Sequence, residues 1–303
     1  MNHLDLVNLT ALMELTSGRP EIIVGLIDGP VVMNHLDIVS ENIREIPGKL
    51  SGTCAQASSA ACMHGTFIAG ILCGKRNSPA PAICPNCTLL VRPIFAETAS
   101  GNGKKRIGLV ETMPSATPEE LAEAIIDCIN AGAHVINLSA ALAQPSTKGE
   151  HKLEQALDYA ARCGVIIVAA AGNQGTIGSS AITRHPWVIP VVACDIQGRP
   201  ISYSNLGSSI GRRGLSAPGE GVMSLGAEGK PLTLGGTSVA APFVTGTIAL
   251  LWSEFPSANA AQVKLAVTQT YTSRRPAVVP PLLNAWAAYQ IMKARSLRKV
   301  KDI

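Results

Sequence analysis

The sequence predicts an α/β protein in which helices cover both faces of a mainly parallel sheet. Three observations predict this. Short aliphatic runs alternate with helical patterns along the chain, the runs lack a polar face, and only 15% of the 303 residues are charged while 47% are hydrophobic. Strands that are apolar on both sides belong to parallel sheets buried between helices.

Five aliphatic runs bounded by turn residues are predicted to be strands. They cover residues 22–27, 89–93, 135–138, 165–170 and 188–193. Four stretches between and after them have helical patterns, at residues 64–73, 118–131, 152–163 and 237–255. The second has the strongest start signal, with Thr117 as N-cap, Pro118 at the first helical position and acidic residues in the first turn.

The chain is predicted to form one domain over residues 1–303, with a core over about 6–290 and a basic tail over about 291–303. No Pro- or Ser-rich linker and no internal repeat divides it. Residues 47–62 and 97–114 are rich in small or polar residues and are predicted to be irregular. Loops of that length in a compact domain are more often functional than not.

Composition excludes several classes of function. The net charge of +4 is small, and the basic residues are scattered except at 104–106 and 293–301, so a nucleic-acid partner is not expected. No apolar run is long enough to span a bilayer, and the first residues lack a signal-peptide pattern, so we expect a cytoplasmic protein without a membrane partner.

The eight cysteines are spread along the chain, and without an export signal we expect reduced thiols. Cys84 and Cys87 form a C-x-x-C with no second pair or histidine partner, which is weak evidence for zinc. A loop disulfide or unreactive thiols are the other interpretations of that pair. No metal and no cofactor is predicted.

Four polar residues stand where a parallel sheet gathers its functional groups, after strands or at helix starts. Asp28 follows the first strand, Asn173 follows the strand "VIIVAA", His64 opens one predicted helix and Ser238 another. Each has an ordinary structural interpretation, as a turn acid, a turn amide, a helix-start histidine and an N-cap serine. Their joint occurrence favours a functional site.

Together the four supply what acyl transfer requires. A serine hydroxyl becomes a nucleophile when an imidazole accepts its proton, and a carboxylate fixes the imidazole's tautomer. A side-chain amide and the backbone N–H at a helix N-terminus can stabilise the oxyanion. The sequence therefore predicts a Ser238 nucleophile, a His64 base, an Asp28 orienting acid and an Asn173 oxyanion donor.

Five stretches around these residues make the chain resemble the subtilisin-like serine proteases, or subtilases. They are "VGLIDG", "HGTFIAGIL", "HVINLS", "VIIVAAAGNQG" and "GGTSVAAPFVTG". The chain order of Asp, His and Ser is that of subtilisin. The resemblance runs from about Leu6 to the end of the last predicted helix and implies a three-layer α/β/α sandwich, a serine endopeptidase activity and the same four site residues.

The resemblance also implies a groove in which an extended peptide or protein substrate binds between two segments. Ser139, Ala140 and Ala141 would form one edge, and Ala171 and Gly172 would also bind the substrate. The family commonly has a glycine pair after "INLS", so the two alanines would narrow the pocket or be tolerated. The loop at 97–114 would form the other edge, where its basic residues would select acidic segments or be solvated.

Other departures from the family bear on metals and substrates. Gly29 and Pro30 follow Asp28 where the family usually has Ser or Thr and then Gly, and "NHLDI" replaces a His-Pro-Asp-Leu segment linked to structural calcium, which we do not expect here. The variant "LIDGP…HGTFIAGIL…AAAGN" resembles subtilases that cleave ribosomal precursor peptides in cyanobactin maturation. A general protein-degrading subtilisin and, less favoured, a peptide-binding pseudoprotease or an esterase are the alternatives.

Overall fold

A seven-stranded sheet forms the centre of the protein. The structure, a computed structural model, describes residues 2–97, 116–139, 150–269 and 277–301. The sheet strands are β1 (Ile23–Asp28), β2 (Ile43–Glu45), β3 (Thr88–Pro93), β4 (Val135–Leu138), β5 (Ile166–Ala170), β6 (Val188–Cys194) and β7 (Leu215–Pro218). They lie in the order β2-β3-β1-β4-β5-β6-β7.

Every neighbouring pair in this sheet is parallel. The five predicted strands are all present, with ends that shift by one residue at most. β2 and β7 were not predicted, because β2 is only three residues long and "LSAP" in β7 has too few aliphatic residues to stand out. A separate antiparallel hairpin of β8 (Val222–Ser224) and β9 (Leu232–Leu234) precedes the last long helices.

Ten helices accompany the sheet in the described part of the chain. They are α1 (His3–Leu6), α2 (Thr10–Leu15), α3 (Ala60–Cys73), α4 (Pro118–Asn130), α5 (Glu150–Cys163), α6 (Ala181–Arg184), α7 (Ser208–Arg213), α8 (Thr237–Glu254), α9 (Ala260–Thr268) and α10 (Ala285–Lys301). A short 3₁₀ turn at Ser40–Asn42 leads into β2. None of these helices combines the length and the apolar character that crossing a membrane requires.

The helices form two layers, one on each face of the sheet. On one face, buried residues of α3, α8, α9 and α10 pack with Val24, Val168 and Val191 of the strands. On the other face, α4, α5 and α6 pack with Ile27, Ile136 and Ile167. Alternate residues of each strand therefore enter opposite cores, which is the three-layer sandwich expected from the sequence.

Helix starts follow the sequence signals in one case and depart from them in another. The side chain of Thr117 accepts from the N–H of Glu120, whose carboxylate accepts from the N–H of Thr117, so the predicted cap of α4 is confirmed and is a full capping box. α3 begins at Ala60, with Ser59 as its cap, and not at His64 as predicted. The small residues before His64 thus extend the helix by one turn into the stretch predicted to be irregular.

Candidate active site

Asp28, His64 and Ser238 meet at the carboxyl ends of the strands. Asp28 is the last residue of β1, His64 lies in the second turn of α3, and Ser238 is the second residue of α8. His64 Nδ1 donates to Asp28 Oδ1 at 2.7 Å, and Nε2 lies 3.1 Å from Ser238 Oγ. With its proton on Nδ1, the imidazole accepts from the serine hydroxyl.

The three side chains become more exposed in the order Asp28, His64 and Ser238. Asp28 is fully buried, His64 is 8% exposed and Ser238 is half-buried. Asp28 Oδ1 also accepts from the Gly29 N–H at 2.6 Å, whereas its buried Oδ2 has no partner among the described residues. A buried carboxylate bonded through one oxygen can orient an imidazole and stabilise its protonated form.

Asn173 lies beside this group and is oriented by Thr237. Its Oδ1 accepts from the Thr237 N–H at 2.9 Å and from the Thr237 Oγ1 at 3.0 Å. Because the amide oxygen is fixed in this way, Nδ2 is the group left to donate. The backbone N–H of Ser238 has no acceptor within the described ranges, so this N–H and Asn173 Nδ2 are both left to donate.

The role of Thr237 was missed from the sequence. Besides donating to Asn173, its hydroxyl accepts from the Gly172 N–H at 3.1 Å, and the side chain is 1% exposed. One hydroxyl therefore joins the start of α8 to the segment after β5. The signal was present, since Thr237 and Ser238 are the only hydroxyl residues of "GGTSVAAPF".

Ser139 lies against the nucleophile's backbone. Its hydroxyl accepts from Asn137 Nδ2 at 2.6 Å and donates to the Ser238 carbonyl at 3.3 Å. Asn137 Oδ1 in turn accepts from Thr245 of α8 at 2.8 Å, and all three side chains are buried. This polar chain fixes α8 to the end of β4.

Pro242 explains why the Ser238 carbonyl is available to that hydroxyl. Pro242 is the sixth residue of α8 and lies in its second turn. A residue with an N–H at that position would donate to the Ser238 carbonyl, and proline cannot. The Ser139 hydroxyl takes the place of that missing donor.

Ala171 and Gly172 follow β5 beside Asn173. Gly172 has φ +107°, which favours glycine, and a Cβ there would overlap Asn205 Nδ2. Asn205 donates to the Ala171 carbonyl at 3.2 Å and accepts from the backbone N–H groups of Gln174 and Thr176. Asn205 thus holds the segment that carries Asn173, a role with no sequence signal.

Several predicted groove residues lie outside the described residues. These are Ala140 and Ala141, together with 98–114 of the predicted loop, including its basic residues. The roles assigned to Ser139, Ala171 and Gly172 in substrate binding stay predictions.

The expectation of reduced cysteines is wrong for one pair. Cys54 and Cys62 form a disulfide, because the turn before α3 brings their Cα atoms within 5.6 Å. The other six cysteines are free, and Cys84 and Cys87 are buried. A hydrogen bond with Cys84 and burial raise the pKa of the Cys87 thiol, which makes it unreactive. In the described part of the chain, only Cys54, Cys62 and Glu97 place three metal-ligating atoms together, within 4.8 Å of one another.

The model of the subtilase family matches residues 19–284. The thermostable alkaline protease of Halalkalibacterium halodurans is 32% identical over 210 residues, which are 69% of this chain and 52% of that protein. The chain thus spans about half the length of this relative.

Two solved structures are similar over nearly their whole length. The protease domain of PatA is 30% identical with a TM-score of 0.79, over 92% of this chain and 97% of that one. The prenylagaramide maturation protease PagA is 28% identical with a TM-score of 0.78, over 94% and 98%.

Proposed function

The chain belongs to the subtilase family of serine peptidases, and on that premise we propose that it is an endopeptidase acting through an acyl-enzyme on Ser238. The observation that carries the proposal is the hydrogen-bonded sequence of Asp28, His64 and Ser238, with distances of 2.7 and 3.1 Å. The 3.1 Å between Ser238 Oγ and His64 Nε2 is within the range that proton transfer between a nucleophile and its base requires, and the 2.7 Å hydrogen bond to Asp28 orients that base.

In the proposed reaction Ser238 Oγ attacks the carbonyl carbon of the scissile bond while its proton passes to His64 Nε2. The C–N bond then breaks as the imidazolium returns that proton to the leaving amine, and a water repeats the sequence to release the acyl group. Asp28, held by the Gly29 N–H, keeps the imidazole in the required tautomer and stabilises its positive charge.

The oxyanion of the tetrahedral intermediate would accept from Asn173 Nδ2 and the Ser238 N–H. The Ser238 N–H also lies at the positive end of the 18-residue helix α8. Both donors are fixed before substrate arrives, since Thr237 orients the amide and Ser139 holds the backbone of Ser238. Donors that need no reorganisation during the reaction stabilise the transition state most effectively.

We also propose that the substrates are ribosomal precursor peptides, which extend in a groove beside Ser139, Ala171 and Gly172. The likeness to PatA, described as a patellamide maturation protease, and to PagA supports this over more than nine-tenths of the chain. A general protein-degrading enzyme is the second candidate, favoured by the likeness to the alkaline protease of Halalkalibacterium halodurans. The cytoplasmic location and the absence of nucleic-acid and membrane partners stay predictions.

A fluorophosphonate probe tests the chemistry, because it reacts with an activated serine whatever the substrate. We expect labelling of the wild-type protein and none of Ser238→Ala, with labelling and peptide cleavage lost in His64→Ala. Failure of the folded wild type to react would leave a peptide-binding pseudoprotease as the better account. Retained cleavage by His64→Ala would remove that residue as the base.

A peptide library with mass spectrometry of the products tests the substrate class. Precursor processing predicts cleavage at a narrow motif and little digestion of an unfolded protein such as reduced casein. Broad cleavage of both would contradict the precursor proposal and favour general degradation. Hydrolysis of simple esters with no cleavage of peptides would instead support an esterase.

A further inference from the structure

The Cys54–Cys62 disulfide joins a loop to the helix that carries His64. Cys62 is the third residue of α3, two positions before His64, and is fully buried. Cys54 is half-buried and lies in residues 51–59, which we call the bridge loop. The bond therefore fixes the first turn of α3, one turn before the imidazole.

The bridge loop is also paired with the chain that follows Asp28. The Val31 N–H donates to the Gly52 carbonyl at 2.9 Å, and the Cys54 N–H donates to the Val31 carbonyl at 3.0 Å. Val31 is three residues beyond Asp28. The disulfide thus closes a connection between the segment bearing the carboxylate and the helix bearing the imidazole.

Glu97 also holds the bridge loop, through hydrogen bonds to its backbone. Its carboxylate accepts from the N–H of Ala55 at 3.0 Å and from the N–H of Gln56 at 2.8 Å. A carboxylate oxygen also lies within 4.8 Å of both sulfur atoms. If the disulfide opens, two thiols must separate beside this carboxylate, and any thiolate formed there is repelled by it.

Exposure decides which of the two sulfur atoms is attacked in thiol–disulfide exchange. Cys62 lies in the first turn of the 14-residue helix α3 and is fully buried. Cys54 is the more exposed of the two sulfur-bearing residues and is the one an attacking thiol reaches first.

We propose that Cys54–Cys62 is a thiol–disulfide exchange site through which a dithiol reductant lowers the activity of the Ser238 site. The proposal rests on the proposed peptidase function. The attacking thiolate bonds to Cys54 Sγ and expels Cys62 as a thiolate, which takes up a proton. The second thiol of the reductant then closes its own disulfide and releases Cys54, so the protein gains two electrons and two protons while the reductant is oxidised.

The expected loss of activity is partial, because other contacts keep α3 packed on the sheet. Gly65 packs against the carbonyl oxygens of Gly29 and Pro30, and Phe67 is fully buried in the core. A misplacement of about 1 Å can cost roughly 10²-fold in rate. If α3 is loosened only in its first turn, the rate of the reaction at Ser238 should fall by about tenfold.

The test compares the oxidised protein with the same protein treated with dithiothreitol. Acid quenching, alkylation under denaturing conditions and peptide mapping report the state of Cys54 and Cys62, while the labelling rate with fluorophosphonate reports Ser238. We expect Ser238 to be labelled about tenfold more slowly when the cysteine pair is reduced, and we expect glutathione disulfide to restore the labelling rate. Rates within twofold, with the pair shown to be reduced, would overturn the proposal.

Two variants separate this site from the other thiols. In Cys54→Ser, Ser238 should be labelled slowly, and dithiothreitol should not change that rate. Cys163→Ser removes the exposed thiol at the end of α5 and should respond as the wild type does. A response that persists in Cys54→Ser would place the effect at another cysteine and refute the assignment.

Hydrogen exchange supplies a measurement that needs neither activity nor a variant. Reduction should accelerate exchange in the bridge loop and the first turn of α3, with α5 as the internal control. If the pair is reduced and hydrogen exchange in the bridge loop and the first turn of α3 is unchanged, the proposal is also refuted. Absence of labelling in the oxidised protein, by contrast, would count against the proposed peptidase function alone.

Discussion

Replacing Thr237 by valine should slow catalysis without weakening substrate binding. Valine keeps the branched shape of threonine and removes only the hydroxyl. That hydroxyl donates to Asn173 Oδ1 at 3.0 Å and accepts from the Gly172 N–H at 3.1 Å, in a side chain that is 1% exposed. Two buried hydrogen bonds are therefore lost together.

The structure sets the size of the effect between two limits. Complete loss of an oxyanion donor costs about 10²–10³-fold in kcat. In Thr237→Val the Asn173 amide keeps its bond from the Thr237 backbone N–H at 2.9 Å, so the donor is loosened and not removed. We expect about a tenfold fall in kcat, which corresponds to about 1.4 kcal/mol. Each lost hydrogen bond should also lower the free energy of unfolding by about 0.5–1.5 kcal/mol.

The assay is steady-state cleavage of a peptide, with the active-site concentration fixed by fluorophosphonate titration. KM should stay within twofold of the wild type, because the oxyanion contact is made in the transition state and not in the substrate complex. Thr237→Ser keeps the hydroxyl and should retain most of the activity. Equal kcat values for the serine and valine variants, or a fall in kcat/KM due to KM alone, would refute the assigned role of Thr237.

Three further predictions concern the amide donor, the packing of α3 and a half-buried lysine. Asn173→Ala should lower kcat by about 10²–10³-fold, and an effect within twofold would exclude it as the oxyanion donor. Gly65→Ala puts a methyl group against the Pro30 carbonyl and should lower the free energy of unfolding by about 1–3 kcal/mol, whereas Gly178→Ala, with open space around its Cβ, should change it little in the same denaturant titration. Burial, with a smaller contribution from a nearby arginine, lowers the pKa of Lys264 to about 8 from 10.5. The unfolded chain therefore binds more protons between these values, and wild-type stability relative to Lys264→Met should rise from pH 8 to 10.5; a difference that is flat or falls with pH would contradict this.

The central strands and long helices could be predicted because their sequence patterns are unambiguous. β4 and β5 are short aliphatic runs buried on both faces, and α4 carries a capping threonine followed by proline. β2 and the hairpin of β8 and β9 could not be predicted, because three-residue strands are defined by their partners and not by their own composition.

The candidate site was predictable at the residues whose chemistry is distinctive. Asp28, His64 and Ser238 were expected together, and the structure brings them within hydrogen-bonding distance. The supporting residues were not found, because Thr237 and Asn205 act through hydrogen bonds to segments distant in sequence. The disulfide was missed for a related reason, since the sequence does not reveal that the turn before α3 brings Cys54 back to Cys62.

The residue types at the positions of Pro242 and Ser139 depend on each other. A proline at 242 leaves the Ser238 carbonyl without its helical donor, and the hydroxyl at 139 supplies another. Among related chains, a residue without a donor at position 139 should therefore be accompanied by a residue with an N–H at position 242. The two positions, more than a hundred residues apart, should vary together, and replacing both should cost less than the sum of the separate changes.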